Sequence, residues 1–133
     1  MRLKFLSKSL AAAALVTTLG IGSALAETKF VILDILPLKE GASVEDAKAY
    51  FDKIEPILAR HGMTRNDQPL DVVKFLRGSA KAQVINLWNS ENPEASFQGV
   101  FGDEEYRSNI PNRDRIFNLK EANIIITERD ASN

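Results

Sequence analysis

One histidine and one isolated carboxylate are the residues of this chain whose types suit proton transfer. His61 is the only histidine among 133 residues, and imidazole titrates near neutral pH. It follows a predicted helix, whose dipole would stabilise its protonated form. Asp34 is the only charged residue inside an apolar run near the start of the domain. We therefore treat His61 and Asp34 as candidate catalytic residues, with a helix-capping role as the alternative for His61.

Four other residues have the character of a small-molecule binding site. Asn86 and Trp88 are two positions apart in an apolar run, so a strand there would place both side chains on one face. Tyr106 and Arg113 follow in a segment that would pack near that strand. A largely apolar pocket with a few polar groups is the usual form of a ligand site. These four residues are the ligand-binding candidates; the alternative is that both aromatic residues are core residues and Arg113 forms an ion pair.

The composition excludes several kinds of chemistry. The chain has no cysteine, and 17 Lys and Arg residues nearly balance 18 Asp and Glu residues. Without cysteine there is no disulfide, thiolate zinc site or cysteine nucleophile, and one histidine is too few for a site of several imidazoles. The charge balance argues against nucleic-acid binding, which needs a basic surface. The acidic run 103–105 complements the dipole of a predicted helix start, so we predict neither a metal site nor a cofactor.

The first 26 residues predict a secretory signal peptide. Three basic residues lie among the first eight, an apolar stretch follows, and positions 24–26 match a small-x-small cleavage pattern. The apolar stretch is shorter than the roughly 20 residues that span a bilayer. We therefore expect a periplasmic or secreted protein with one domain over residues 27–133. Cleavage leaves 14 basic against 18 acidic residues, so we expect no attraction to anionic membranes.

Hydrophobic periodicity and turn residues predict four strands and two helices in the order β-α-β-β-α-β. Runs of β-branched and aromatic residues predict strands at residues 29–36, 72–77, 82–88 and 123–128. The first helix is predicted to begin after Ser43, whose spacing to Asp46 resembles a capping box, and to end at Gly62. Pro56 is expected to kink it.

The segment that begins at Pro93 predicts an interrupted second helix. Gly102 interrupts the helical pattern, Asp103 can cap a new turn, and Ile110 with Pro111 breaks the pattern again. The order of strands and helices is that of the split βαβ, or ferredoxin-like, arrangement. We therefore predict an α+β fold in which an antiparallel sheet carries both helices on one face.

The predicted sheet is apolar on both faces. In the first strand Ile32 points to one side, while Val31 and Leu33 point to the other, and three isoleucines at 124–126 make the last strand apolar on both. Because two helices cover only one face, a monomer would expose an apolar patch. We predict a homodimer packed sheet to sheet, with Ile32 and Ile126 at the contact. The alternative is a monomer whose strand residues simply favour β structure.

One passage carries a resemblance to a known family. Residues 101–117 read FGDEEYRSNIPNRDRIF. Together with VVKFLRG and AQVINLW, they resemble the dimeric α+β barrel proteins grouped as domain of unknown function 1330, which share an F-x-D/S-x-E-Y-x-x-x-x-P-x-R pattern. The matching residues are Phe101, Asp103, Glu105, Tyr106, Pro111 and Arg113. The resemblance covers nearly all of the domain and implies a ferredoxin-like fold and a dimer, without a known activity.

Two functions are compatible with these residues. The first is an exported, non-catalytic dimer that binds a small apolar or aromatic molecule or serves as an interaction module. The second is a cofactor-independent oxygenase or isomerase for a small aromatic or anionic molecule, with His61 or Asp34 as proton acceptor and Arg113 holding an anionic group. By analogy with haem-handling relatives of the fold, His61 is also a conceivable axial ligand. An enzyme requires that such ionisable groups face one enclosed pocket.

Overall fold

A computed structural model of the chain describes residues 28–130. The signal peptide predicted at residues 1–26 lies outside this range. Within it, the chain forms one antiparallel sheet with helices packed on one face, which is the predicted α+β, ferredoxin-like arrangement.

Two long strands form the centre of the sheet. The strands are β1 (Phe30–Leu36), β2 (Thr64–Arg65), β3 (Leu70–Asp71), β4 (Val84–Ser90) and β5 (Asn123–Glu128). Their order is β2-β4-β1-β5, and β3 pairs with the same edge of β4 as β2 does. In the β1–β4 register Ile32 lies opposite Trp88, and Asp34 lies opposite Asn86. The two central strands therefore hold Asp34 and Trp88 on one face of the sheet.

The first helix, α1 (Val44–Arg60), begins with the predicted capping box. The Ser43 hydroxyl accepts from the Asp46 N–H, and the Asp46 carboxylate accepts from the Ser43 N–H, at 3.0 Å each. This reciprocal pair satisfies two N–H groups that the first turn leaves unpaired. The helix continues through Pro56 to Arg60. Its buried side chains, which pack on the sheet, are Ala47, Tyr50, Phe51, Ile54, Ile57 and Leu58.

Three short helices follow β4: α2 (Pro93–Gly102), α3 (Glu104–Ser108) and α4 (Ile110–Ile116). Pro93 opens α2 and Asp103 caps α3, as predicted. The predicted break at Ile110 and Pro111 is present one residue earlier, because α3 ends at Ser108 and Asn109 separates it from α4. Pro111 itself lies in the first turn of α4. Proline is well tolerated there, since the N–H that it lacks has no partner within the helix.

The strand predicted at residues 72–77 is wrong. These residues form an exposed loop, in which Val73 is 96% exposed and Leu76 is 89% exposed. The Val72 N–H donates to the Gln83 carbonyl, just before β4 begins at Val84. Beyond Val72 the chain extends past Val84, the first residue of β4. Within residues 28–130 there is therefore no strand beside residues 73–77 with which they could pair. The β-forming residues were read correctly, but their pairing depends on tertiary context.

The two faces of the sheet are covered differently. Ile32 is fully buried beneath the helices, so the prediction that it lies at a dimer contact is wrong. Ile126 pairs with Ile32 in the register and shares its face, although it is 52% exposed at the edge of the sheet. Val31 and Leu33 point away from the helices and are only partly buried. Alternation fixes which residues share a face, but it does not say which face the helices cover.

Candidate functional site

A cavity of about 130 Å³ lies between the helices and the helix-covered face of the sheet. Its walls are largely apolar, and its mouth is formed by exposed side chains of Phe101, Leu119 and Ile124. An engineered protein cavity of about 150 Å³ accepts benzene, so this one suits a molecule near that size. The residues with polar groups on its wall are Asp34, Tyr50, Trp88, Tyr106 and Arg113.

The sheet supplies one polar end of the cavity. The Trp88 indole Nε1 donates to Oδ2 of Asp34 at 2.6 Å. Burial raises the pKa of Asp34 to about 6, and the bond from Trp88 opposes this rise without cancelling it. Most molecules therefore carry an ionised Asp34 at neutral pH, and this carboxylate binds a proton more tightly than one in water does. Asp34 has the protonation behaviour of a general base.

The helices supply the other polar end. Arg113 donates from Nη1 to the Tyr106 hydroxyl at 3.2 Å, while its Nε and Nη2 both lie 2.9 Å from Oδ1 of Asp114. The hydroxyl of Tyr50 on α1 interacts with that of Tyr106, and burial raises the pKa of Tyr50 above its ordinary value. Tyr50 is therefore protonated at physiological pH. This end combines a guanidinium with neutral hydroxyls.

Aromatic rings line the same cavity as these polar groups. Phe51 lies 6.2 Å from Trp88 and 5.3 Å from Phe117, measured between ring centroids. Phe117 lies 5.5 Å from Tyr50 with its ring turned edge to face. Such contacts fix the rings relative to one another. A bound molecule would therefore meet an apolar aromatic surface that also presents a carboxylate and a cation.

His61 lies outside the cavity wall. It is the C-cap residue of α1, and its Nε2 lies 2.7 Å from Oδ2 of Asp103. Arg60 also contacts Asp103, at 3.2 Å, and an added Cβ at Gly99 would overlap the imidazole. The structure thus does not bring His61 to Asp34 or Arg113. Through Asp103, which caps α3 one turn before Tyr106, His61 helps to anchor the helix that carries a cavity residue.

Asn86 is also absent from the cavity wall. Its side chain lies on the same face as Trp88, as predicted, but it is 1% exposed, and within residues 28–130 neither of its polar side-chain atoms has a hydrogen-bond partner. An unsatisfied buried amide costs about 1–3 kcal/mol of stability. Of the six candidate residues, the structure therefore brings together Asp34, Trp88, Tyr106 and Arg113, and it separates Asn86 and His61 from them.

Tyr50 is the cavity residue with a polar group that sequence analysis missed. It belongs to the buried side of α1, three positions after Ala47 and four before Ile54. This spacing marks a core-facing position. A hydroxyl in the middle of an apolar helical stripe was the signal that could have identified it, because a buried hydroxyl needs a polar partner.

The acidic run 103–105 has a structural role in this fold. Asp103 caps α3, and Glu105 forms an ion pair with Arg60 at 2.9 Å. Across residues 28–130, no group of three or more His, Asp or Glu side chains is arranged to hold a metal ion. In the same part of the chain, no helix has both the length and the apolar character needed to cross a membrane.

Comparison with known proteins identifies solved structures with a similar fold. No protein family and no curated protein matches the chain by sequence. A protein of unknown function from Rhodopseudomonas palustris superposes with a TM-score of 0.61 at 16% identity, over 78% of this chain and 84% of its own. An uncharacterised NIPSNAP domain protein from Burkholderia xenovorans gives 0.60 at 12%, over 78% and 97%. A NIPSNAP family protein of unknown function from Agrobacterium tumefaciens gives 0.56 at 12%, over 80% and 93%. At these identities the similarity shows that the chain shares their fold.

Proposed function

We propose that the protein binds one small carboxylate-bearing molecule in the cavity, with an apolar part about the size of a single six-membered ring. The observation that carries this proposal is the position of Arg113 and Tyr106 at one end of an otherwise apolar cavity. Guanidinium groups recognise carboxylates through paired hydrogen bonds. The aromatic wall formed by Phe51 and Phe117 supplies the contacts for the apolar part.

Arg113 retains capacity for such a ligand. Its contacts with Tyr106 and Asp114 engage three of the five N–H groups of a guanidinium. Its side chain is 22% exposed, so a ligand need displace little water to reach it. Asp114 keeps the guanidinium in place, which favours binding because less side-chain freedom is lost.

Removal of the Arg113 charge is expected to weaken ligand binding. Benzoate should quench Trp88, the only tryptophan of the chain, because the indole lies on the cavity wall. Arg113→Ala should raise the dissociation constant for benzoate about 10- to 150-fold, which corresponds to about 1.5–3 kcal/mol for a charged hydrogen bond. Fluorescence titration of both proteins measures this change, and urea denaturation measures their stability.

Arg115→Ala is the matched control. Arg115 lies on α4 as well, but it is exposed and contacts Asn112 instead of the cavity. The control should bind benzoate as the unmodified protein does. A stability loss in Arg113→Ala with an unchanged titration would show that Arg113 serves only as a structural partner of Tyr106 and Asp114.

The enzyme alternative is favoured by one specific observation. An enzyme needs ionisable groups on one cavity, and Asp34, Tyr106 and Arg113 line the same one. Of the two proton acceptors considered, Asp34 lies on this wall and His61 does not. The support for catalysis therefore rests on Asp34.

We also propose that the protein is exported to the periplasm or secreted. This proposal rests on the basic start, the apolar stretch and the cleavage pattern of residues 1–26. Intact-mass analysis of the protein from its native host should show a chain that begins at Glu27. Recovery of an unprocessed form would contradict the proposal.

A homodimer and membership of the family of domain of unknown function 1330 are two further proposals. The dimer is supported by partly exposed apolar residues on the helix-free face of the sheet, which are Val31, Leu33, Ile35, Ile85, Leu87 and Ile125. The family assignment is supported by the passage at residues 101–117. That passage forms α3 and α4 and supplies Tyr106 and Arg113 to the cavity.

A further inference from the structure

We propose that the cavity catalyses keto–enol proton transfer in small 2-oxo acids, with Asp34 as the base and Tyr106 with Arg113 as the groups that stabilise the enolate oxygen. This inference rests on the proposed function, because the substrate is a carboxylate that occupies the same cavity. It goes beyond binding in assigning a reaction, a substrate class and a role for each polar end.

The presence of a carboxylate and a cation on the wall of one cavity carries the argument. Asp34 lies at the sheet, fixed by the 2.6 Å bond from Trp88, and Arg113 lies with Tyr106 among the helices. The aromatic rings of Phe51 and Phe117 line the same cavity. A base on this wall can act on a carbon of a molecule whose carboxylate the cation holds in place. A base adjacent to the cation would form an ion pair and lose its basicity.

The groups at the helix end match the oxygens of a 2-oxo acid. The carboxylate and the ketone oxygen of such an acid are neighbours, so Arg113 and the tyrosine pair can contact both. Tyr106 accepts from Arg113, and its hydroxyl interacts with that of Tyr50. The hydroxyls of Tyr50 and Tyr106 carry two protons, and the hydrogen bond between them uses at most one. The other O–H is therefore available to donate to a ligand oxygen. Preorganised donors of this kind stabilise an oxygen on which negative charge develops.

The reaction balances with the groups of this chain alone. Asp34 as carboxylate takes a proton from the carbon next to the ketone, and the electron pair of that C–H bond forms a carbon–carbon double bond. The π electrons of the ketone move to its oxygen, which becomes the enolate oxygen held by Arg113 and a tyrosine O–H. A tyrosine O–H protonates that oxygen to give the enol and regains a proton from water, while Asp34 releases its proton to water. In the reverse direction Asp34, protonated from water, delivers a proton to carbon and the ketone forms again. Catalysis in either direction consumes no other reactant.

Phenylpyruvate is the probe for this proposal, because its single ring suits the aromatic wall and it has exchangeable C–H protons next to the ketone. In D₂O, the full-length protein should accelerate loss of these proton signals from the NMR spectrum above the rate in buffer. The rate should rise with pH and approach its plateau above about pH 6, as Asp34, whose pKa burial raises to about 6, becomes ionised. Quenching of Trp88 fluorescence by phenylpyruvate measures binding in the same samples.

Asp34→Asn is the decisive variant, because the amide keeps the shape and can still accept from Trp88 but cannot act as a base. It should lower the protein-catalysed exchange rate about 10²- to 10⁴-fold while still binding phenylpyruvate. Tyr106→Phe should lower the rate by a smaller factor. Asp71→Asn is the matched control, since Asp71 is exposed and pairs with Lys48 on the surface, and it should leave the rate unchanged.

The outcomes separate catalysis from binding. Trp88 quenching without exchange above the buffer rate would overturn the catalytic proposal and leave the binding function standing. Exchange in Asp34→Asn at the unmodified rate would overturn the role of Asp34. If phenylpyruvate neither quenches Trp88 nor exchanges faster than in buffer, both the catalytic proposal and its substrate class are overturned. The benzoate titration then tests the binding function separately.

Discussion

Leu33→Asp is expected to dissociate the proposed homodimer into monomers. Leu33 lies in the middle of the helix-free face, opposite Leu87 on one side and Ile125 on the other. In a sheet-to-sheet dimer this position would bury an unpaired carboxylate, which costs several kcal/mol. In a monomer the same side chain is only partly buried, so the folded monomer should tolerate the change. Light scattering at micromolar concentration should show half the mass of the unmodified protein.

Ala49→Asp is the control for this experiment. Ala49 is an exposed residue of α1, which packs on the opposite face of the sheet, so the added charge should leave the dimer intact. Circular dichroism of both variants establishes that each one folds. A monomer mass for the unmodified protein, or a dimer mass for Leu33→Asp, would contradict the predicted interface.

Asp34→Asn is expected to stabilise the protein at neutral pH and to have little effect at low pH. Burial raises the pKa of Asp34 from 3.8 to about 6, so the folded state holds this proton more tightly than the unfolded state does. The contribution of Asp34 to stability is therefore complete below about pH 4 and is lost as pH rises through about 6. The loss amounts to about 3 kcal/mol, at 1.36 kcal/mol for each pKa unit. An amide at this position stays neutral and avoids that loss.

Urea denaturation of both proteins at about pH 4 and about pH 7.5, at one protein concentration, measures this effect. The difference between the two proteins isolates Asp34, because the contributions of all other titrating groups are common to both. Asp71→Asn, a change at an exposed carboxylate, should show no such difference. A variant that is less stable than the unmodified protein at pH 7.5, or equally stabilised at both pH values, would be evidence that burial does not raise the pKa of Asp34. A carboxylate that lowers stability in this way is typical of a functional site.

Local sequence patterns predicted most of the elements of this fold. The capping box at Ser43, Pro93 at the start of α2 and Asp103 at the start of α3 all depend on a few neighbouring residues. The last strand was predicted at its observed bounds, Asn123–Glu128. In each case the signal lies within a few positions of the chain, as a cap or proline at a helix start or as a run of β-branched residues in the strand. Such interactions can be read from the sequence because the chain itself brings the partners together.

The candidate site depended more strongly on tertiary structure. Asp34 and Trp88 could be singled out by residue type, and so could Tyr106 and Arg113, but residue type does not separate these four from His61 and Asn86. Only the folded structure shows that His61 and Asn86 are not part of the cavity wall. The side chain of His61 lies beside Asp103, after the last turn of α1. The side chain of Asn86 is buried in the core. Tyr50 joined the site because α1 packs with that part of its apolar stripe over the sheet.

The sequence by itself determined the fold class, the apolar character of both sheet faces and a set of six candidate residues that includes four on the cavity wall. Tertiary structure alone decided which face the helices cover, which left Ile32 in the core and Leu33 on the helix-free face. It also decided that residues 72–77 have no strand to pair with, and that Asp34 and Arg113 line one cavity. The physical reason is that periodicity and capping act over a few residues, whereas packing and strand pairing join residues such as Asp34 and Trp88 that are far apart in the chain.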